Sequence, residues 1–494
     1  MVETNRHYDV IIVGAGISGI GTAYWLQEKC PGKTYAILEA RERLGGTWDL
    51  FRYPGIRSDS DMFTFGYRFK PWENPKSLSD GESIRNYLNE TAEENGIDQN
   101  IHFSHKVLAA NWSGEDALWT LQVTHGGTTS TLRTKFLYMC AGYYSYKEGY
   151  RPPFEGEDSF NGPVIHPQFW PEDLDYSGKR IAVIGSGATA VTLVPSLAEK
   201  ADHVTMIQRS PTYIMKLPNR NGLYISLKKW LPGGVAYRLT RWRNLMMTMG
   251  LFGFSRLFPN RMKGLLMKGA AKELPEGYPV ETHFNPTYKP WDQRLCVIPD
   301  GDLFKAIKKG KAHVITEEIS HFTPHGIALK SGEVLEADMI VTATGLKMKL
   351  LGGARITLDG QLLDTHEVLV YKGMMMSGVP NFALAFGYTN NSWTLKTDLT
   401  ANLVCRILNY MDRKGYEVVV PVVPRDIEEE EFLPLESGYM KRARHLLPKN
   451  GSKRPWRVYQ NYLMDMLLTR FGRVRNRHLN FYPIRNSQTR QSAP

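Results

Sequence analysis

Two stretches of the chain share one arrangement of apolar and polar positions. "YDVIIVGAGISGIGTAYWLQ", from Tyr8, and "KRIAVIGSGATAVTLVPSLA", from Lys179, each open on a β-branched apolar run. Each passes through G-x-G-x-x-[G/A] and continues with a helix-like stretch. The order predicts a buried strand, a tight turn and a helix packed back on the strand. A third apolar run, "ADMIVTATG" (residues 337–345), predicts a strand ending in Thr-Gly with no such helix after it. From Trp393 to about Lys414 the pattern is that of a long helix, stopped by Gly415. No apolar run reaches the roughly 20 residues that span a bilayer. The longest, Asn244–Ser255, is short and flanked by Arg243 and Arg256.

With 494 residues and 42% hydrophobic positions, the chain is too long for one ordinary domain and rich enough to fill two or three cores. The expected class is α/β, with two Rossmann-like dinucleotide-binding domains and a helical insertion. One domain is expected from residues 1–160 and 335–494, a linker at 161–178, and a second domain at 179–334 with a helical sub-region at about 212–280.

The two turns point to different dinucleotides. In Gly14-Ala15-Gly16-Ile17-Ser18-Gly19 the glycines allow a tight turn, backbone approach to a pyrophosphate, and helix–strand packing. The helix N-terminus adds N–H donors and a partial positive charge. The next strand, "TYAILEA", carries Glu39, placed to accept hydrogen bonds from ribose hydroxyls. This is an FAD site in outline. The second turn, Gly185-Ser186-Gly187-Ala188-Thr189-Ala190, is followed by "HVTMIQRS", which ends in Arg209 and Ser210 with no acid. An acid there would repel a 2′-phosphate, whereas arginine grips one bidentately, so NADPH is expected over NADH. FAD with NADPH means hydride transfer from nicotinamide to flavin.

Charge and cysteines narrow the classes. Net charge is +11, and residues 211–272 hold twelve Lys/Arg and no Asp/Glu. Residues 441–494 hold thirteen Lys/Arg and one acid, Asp465. The plain reading is solvated basic surface with a site for phosphate-bearing cofactors; the Met/Leu/Trp-rich 223–270 stretch also admits peripheral contact with a membrane surface. No nucleic-acid motif accompanies the charge. The four cysteines, Cys30, Cys140, Cys296 and Cys405, form no C-x-x-C, which argues against a disulfide reductase and against a zinc knuckle. No metal site is expected. The N-terminal residues carry no signal-peptide pattern, and a cytoplasmic location is expected.

The remaining motifs carry a resemblance. "FNGPVIHPQFWP" fits F-x-G-x-x-x-H-x-x-x-W-[P/D] at Phe160, Gly162, His166, Trp170 and Pro171. "GGTWDLFRYPGIRSD" supplies Gly45, Gly46, Trp48, Tyr53, Pro54, Gly55 and Asp59 of a second signature, and Ala343-Thr344-Gly345 a third. The chain thereby resembles the Baeyer–Villiger monooxygenases, class B flavoprotein monooxygenases. "PWDQRL" and "GYTNNSWTLK" are similar to the shorter bacterial branch that contains a mycobacterial ethionamide-activating member.

The resemblance implies NADPH-driven insertion of one oxygen atom of O2 into a ketone, activated at C4a of the flavin, to give an ester or lactone, with sulfides oxidised too. It implies that Arg294 holds developing negative charge, since guanidinium stays cationic, and that Asp59 positions it. It assigns Gly46, Thr47, Trp48, Asp59 and Val107 to FAD, and Arg57, Ser58 and Asp59 to NADP. The His166/Trp170 motif reads as an inter-domain relay, or as ordinary packing. The helix from Trp393 either faces the flavin pyrimidine with its N-terminus or simply packs; Trp393 is a candidate cofactor contact. The rival from another class is an NADPH:quinone-type oxidoreductase at a membrane face. Substrate preference and oligomeric state are not legible.

Overall fold

The computed structural model describes residues 7–293, 295–432 and 436–483. The first unit is built on a nine-stranded sheet. Strand β1 (His7–Val13) leads through the Gly14 turn into helix α1 (Ile17–Lys29) and strand β2 (Tyr35–Leu38). β1 lies between β2 and a long strand, both parallel to it, and Val10, Ile11 and Ile12 have no solvent exposure. That explains the unbroken apolar run: a parallel sheet covered on both faces needs no polar alternation. Beyond β2 lies β3 (Ile101–His102). Then β4 (Lys106–Ser113), β5 (Leu118–His125) and β6 (Thr128–Met139) form an antiparallel meander. β6 joins the two halves: residues 128–134 pair with β5 and residues 133–139 with β1. Phe382–Leu384 pairs parallel with the end of β6, and Arg355–Leu358 with β4.

The chain leaves this unit along β7 (Tyr144–Gly149). A five-stranded, wholly parallel sheet follows, with β8 (Val164–Ile165) at one edge, then β9 (Arg180–Ile184), helix α2 (Ala188–Leu197) and β10 (His203–Gln208). Helices α3 (Gly233–Leu257), α4 (Pro259–Glu273) and α5 (Asp302–Lys308) precede β11 (Ala312–Thr316) and β12 (Met339–Thr342). The sheet order is β11-β10-β9-β12-β8. The chain returns along β13 (Leu346–Met348), antiparallel to β7. It re-enters the first unit, runs through helix α6 (Trp393–Lys414), stopped at Gly415 with φ +66°, and continues into an antiparallel pair, Tyr416–Pro421 with Leu479–Pro483, in the same core.

Two boundaries differ from expectation. β12 lies within the 335–494 segment assigned to the first domain, yet it pairs with β9 in the second sheet. β8, in the expected linker, is the neighbour of β12. Both are short apolar runs, and periodicity does not say which parallel sheet such a run joins. Within the expected 212–280 sub-region helices run from Gly222 to Glu273 while Ile214–Leu217 is a strand, and α3 packs on the first unit: Tyr237 donates to Tyr67 O (2.9 Å), and the buried Arg241 donates to Phe63 O and Gly66 O (2.8 Å each).

Candidate active site

A cavity of about 510 Å³ lies between the two sheets. Of the residues assigned to FAD, it is lined by Gly14, Gly16, Ser18, Glu39, Gly46, Thr47, Trp48, Asp59 and Val107. Gly19 instead packs against Gly14 and Ile12, as the third position of the motif should. Glu39 is buried at the end of β2. Its Oε2 accepts Ala15 N–H at 2.8 Å and its Oε1 accepts Arg41 N–H at 2.9 Å. Burial raises its pKa, and these backbone donors oppose the rise. Each carboxylate oxygen keeps a lone pair for a ribose hydroxyl.

Sequence reasoning missed the support beneath this floor. Asp49, in the second signature, is buried and holds Arg41 (2.8 Å), Arg43 (3.4 Å) and Arg52 (2.5 Å). Arg41 and Tyr146 line the cavity. α6 opens on the same cavity through Asn391 and Trp393, and Trp393 Nε1 donates to Ser18 Oγ at 2.8 Å. The helix N-terminus and the first Gly-rich helix are therefore tied together at the cavity wall.

On the opposite side, Ala188 and Thr189 of the second turn line the cavity, together with Arg57, Ser58 and Asp59. A Cβ built on Gly187 meets nothing within 4 Å, so that backbone is open to a ligand. Ser186 Oγ donates to Ser210 O at 3.0 Å, joining the turn to the end of β10. Gly185 packs against Ala343, and Ala190 is buried in the core. Arg209 and Ser210 are exposed beyond β10 and outside the cavity wall.

The signature loop bridges the units. Gly55 sits so close to α2 that a Cβ there would lie 1.9 Å from Ser196 Oγ. Arg57 Nη1 donates to Asp302 Oδ2 at 2.5 Å, while the buried Nη2 has no hydrogen-bond partner. A buried, unsatisfied guanidinium nitrogen beside a cavity fits an anionic or carbonyl-bearing ligand there. Open backbone at Gly187, the Glu39 carboxylate and this nitrogen together suit two dinucleotides. Arg294, the residue implied as the cation, lies outside the described residues.

The linker motif separates into parts. His166 Nε2 faces Gly345 O at 3.1 Å, and His166 Nδ1 accepts Gln168 N–H at 3.2 Å. A carbonyl only accepts, so the proton sits on Nε2 and the ring is neutral. The ring lies against Gly149, where a Cβ would be 2.0 Å away. His166 thus pins the β7–β13 ribbon, where both chain crossings run. Trp170 is buried in the second unit's core, edge-on to Tyr176. Phe160 packs with Phe322, and Gly162 makes a tight approach to Asp338 O. Pro171 follows Trp170 directly and is exposed.

Comparison with known proteins agrees with this geometry. Residues 11–221 match the pyridine nucleotide-disulphide oxidoreductase family. The chain is 53% identical over 478 residues to the FAD-containing monooxygenase EthA of Mycobacterium tuberculosis (strain H37Rv), covering 96% of this chain and 98% of the other. It is 54% identical over 478 residues to EthA of Mycolicibacterium smegmatis, covering 96% and 97%. The chain belongs to the FAD-containing monooxygenases. It is a flavoprotein monooxygenase using FAD and NADPH.

Its fold is that of oxidised steroid monooxygenase bound to NADP (TM-score 0.78, 22% identity, 97% of this chain and 100% of that one). It is likewise that of cyclohexanone monooxygenase from Rhodococcus sp. Phi1 bound to NADP+ (TM-score 0.71, 19% identity, 97% and 100%). In this monooxygenase Cys140 and Cys296 line the cavity. Burial pushes the Cys140 thiol up to about 12, away from the thiolate that disulfide exchange needs. Among the described residues no His/Cys/Asp/Glu cluster could hold a metal.

Proposed function

We propose that this monooxygenase inserts one oxygen atom of O2 into ketones to give esters or lactones, and oxidises sulfides at the same site. The observation that supports this is one cavity lined by both Gly-rich turns and by the Arg57–Asp59 loop, where nicotinamide, flavin and a small apolar substrate would meet. Bound FAD would supply the oxygen activation. Gly14, Gly16, Ser18, Glu39, Gly46, Thr47 and Val107 would hold it, and the N-terminus of α6 would favour negative charge on the ring. Gly187, Ala188, Thr189, Arg209 and Ser210 would hold NADPH, with Arg57 Nη2 reaching toward it.

Arg294 is the cation for the developing oxyanion and Asp59 its positioning carboxylate; the support is the family motif and the place of Asp59 in the cavity wall. His166 is a positioning residue at the ribbon between the units, whereas the surroundings of Trp170 favour plain packing. The basic helical region makes peripheral contact with a membrane surface. Among the described residues no helix is long and apolar enough to cross one.

The test is aerobic turnover with NADPH and a panel of ketones and thioethers. Labelled oxygen from O2 should appear in ester and sulfoxide products. Arg294→Ala should keep NADPH oxidation and lose oxygenation by at least about a hundredfold, the scale seen when a preorganised charge donor is removed. NADPH consumption that requires a quinone, with no oxygenated product, supports the rival class.

A further inference from the structure

Helix α3 is apolar on the wrong side. Its inward face, Ala236, Tyr237, Thr240, Arg241, Leu245 and Ser255, is buried. Its outward face carries Leu239, Trp242, Met246 and Leu257 at spacings of three, four and eleven residues, which is one stripe of a helix. Leu257 is 75% exposed, and Trp230, just before the helix, is 87% exposed. An exposed stripe of this kind marks an interaction surface.

The charge around it selects the partner. Residues 211–272 contain no acid. Lys216 is spent on Glu273, Arg256 on Asp292, and Arg241 on buried carbonyls. Lys228, Lys229, Arg238, Arg243, Arg261 and Lys268 are exposed, with no described carboxylate within ion-pair distance. A second copy docking by twofold symmetry would place this patch against itself and set like charges together. An anionic lipid surface satisfies both features: phosphates meet the cations, and the stripe enters the acyl boundary.

We infer that α3 lies in the plane of an anionic membrane surface, with Trp230, Trp242 and Leu257 at the headgroup boundary and the flanking cations on lipid phosphates. This deepens the membrane contact proposed above. The inner face of α3 also backs the cavity. Arg241 holds the carbonyls of Phe63, Thr64 and Gly66, Phe65 lines the cavity, and Leu245 shares an apolar cluster with Tyr388, another lining residue. The cavity therefore lies behind α3 with the Phe63–Gly66 segment between them, and apolar substrates dissolved in the bilayer are the class it is placed to receive. Only this substrate clause rests on the oxygenation reading.

The experiment is flotation of the FAD-loaded full chain with vesicles of phosphatidylcholine alone or mixed with phosphatidylglycerol. Binding is expected with the anionic vesicles only, weakening as salt rises. Each neutralised cation, as in Lys229→Gln or Arg243→Gln, should weaken partitioning about fivefold. Trp230→Ser should weaken it about tenfold. Oxygenation of a water-soluble ketone by these variants should be unchanged. No recovery with anionic vesicles at low salt overturns the proposal. So does light scattering that shows a dimer broken by Trp242→Glu. If vesicle binding persists while no ketone is oxygenated, the reaction class fails and the surface stands.

Discussion

Arg209, an exposed guanidinium just past the end of β10, is the residue proposed to grip the 2′-phosphate of NADPH. A charge-assisted bidentate contact to a 2′-phosphate contributes about 1.5–3 kcal/mol. Arg209→Ala should therefore raise KM for NADPH about ten- to a hundredfold and leave NADH kinetics nearly unmoved; equal losses with both would remove the assignment. His166 allows a pH argument. Burial lowers its pKa below 6.5, while its bond to Gly345 O opposes the shift. As pH falls below about 6.5 the unfolded chain binds the proton first, so stability declines with acidification in that window. His166→Asn should flatten this part of the stability–pH curve in urea titrations at several pH values. It should also lower turnover while FAD stays bound; loss of FAD with the fold would mean that His166 only packs.

Among the elements, α6 was the most legible. Its apolar spacing and Gly415 stop are local signals, and the helix runs from Trp393 to Lys414 as read. What lies inside it was not legible. Lys396 is buried, its Nζ 2.7 Å from Asp465 Oδ2, which also accepts Tyr388 O–H at 2.7 Å. Nothing in the pattern of residues 393–414 pairs a lysine with an acid sixty-nine positions on; only packing of the C-terminal segment onto α6 does so. Asp465→Asn would leave a buried ammonium without its counter-charge, at about 3–5 kcal/mol. A matching drop in the urea midpoint is expected, largely restored by pairing it with Lys396→Met. The same limit hid Asp49 with its three arginines and the membership of β12: sequence shows the strand or the acid, and tertiary contact decides what it meets.

At the scale of the whole molecule, the two Gly-rich units were legible because each motif is contiguous, whereas their mutual placement was not. That placement depends on the β7–β13 ribbon, on Gly55 against α2, and on the Arg57–Asp302 ion pair between the units. Asp302 stands at the start of α5 in the second unit, and Arg57 in the signature loop of the first. Burial raises the Asp302 pKa, and Arg57 counters the rise. The carboxylate is held through Oδ2 by Arg57 and through Oδ1 by Leu303 N–H at 2.8 Å. Asp302→Asn keeps the shape and removes the charge. Arg57 would then lose its charged partner, with Nη2 already unpartnered, and the side of the cavity proposed for the nicotinamide would loosen while the Glu39 side stayed intact. KM for NADPH should rise about tenfold, the scale of an ordinary inter-site coupling, with FAD content and its visible spectrum unchanged. Loss of FAD in this variant, or unaltered NADPH kinetics, would show that the ion pair only packs the units and does not set the distance between the two dinucleotides.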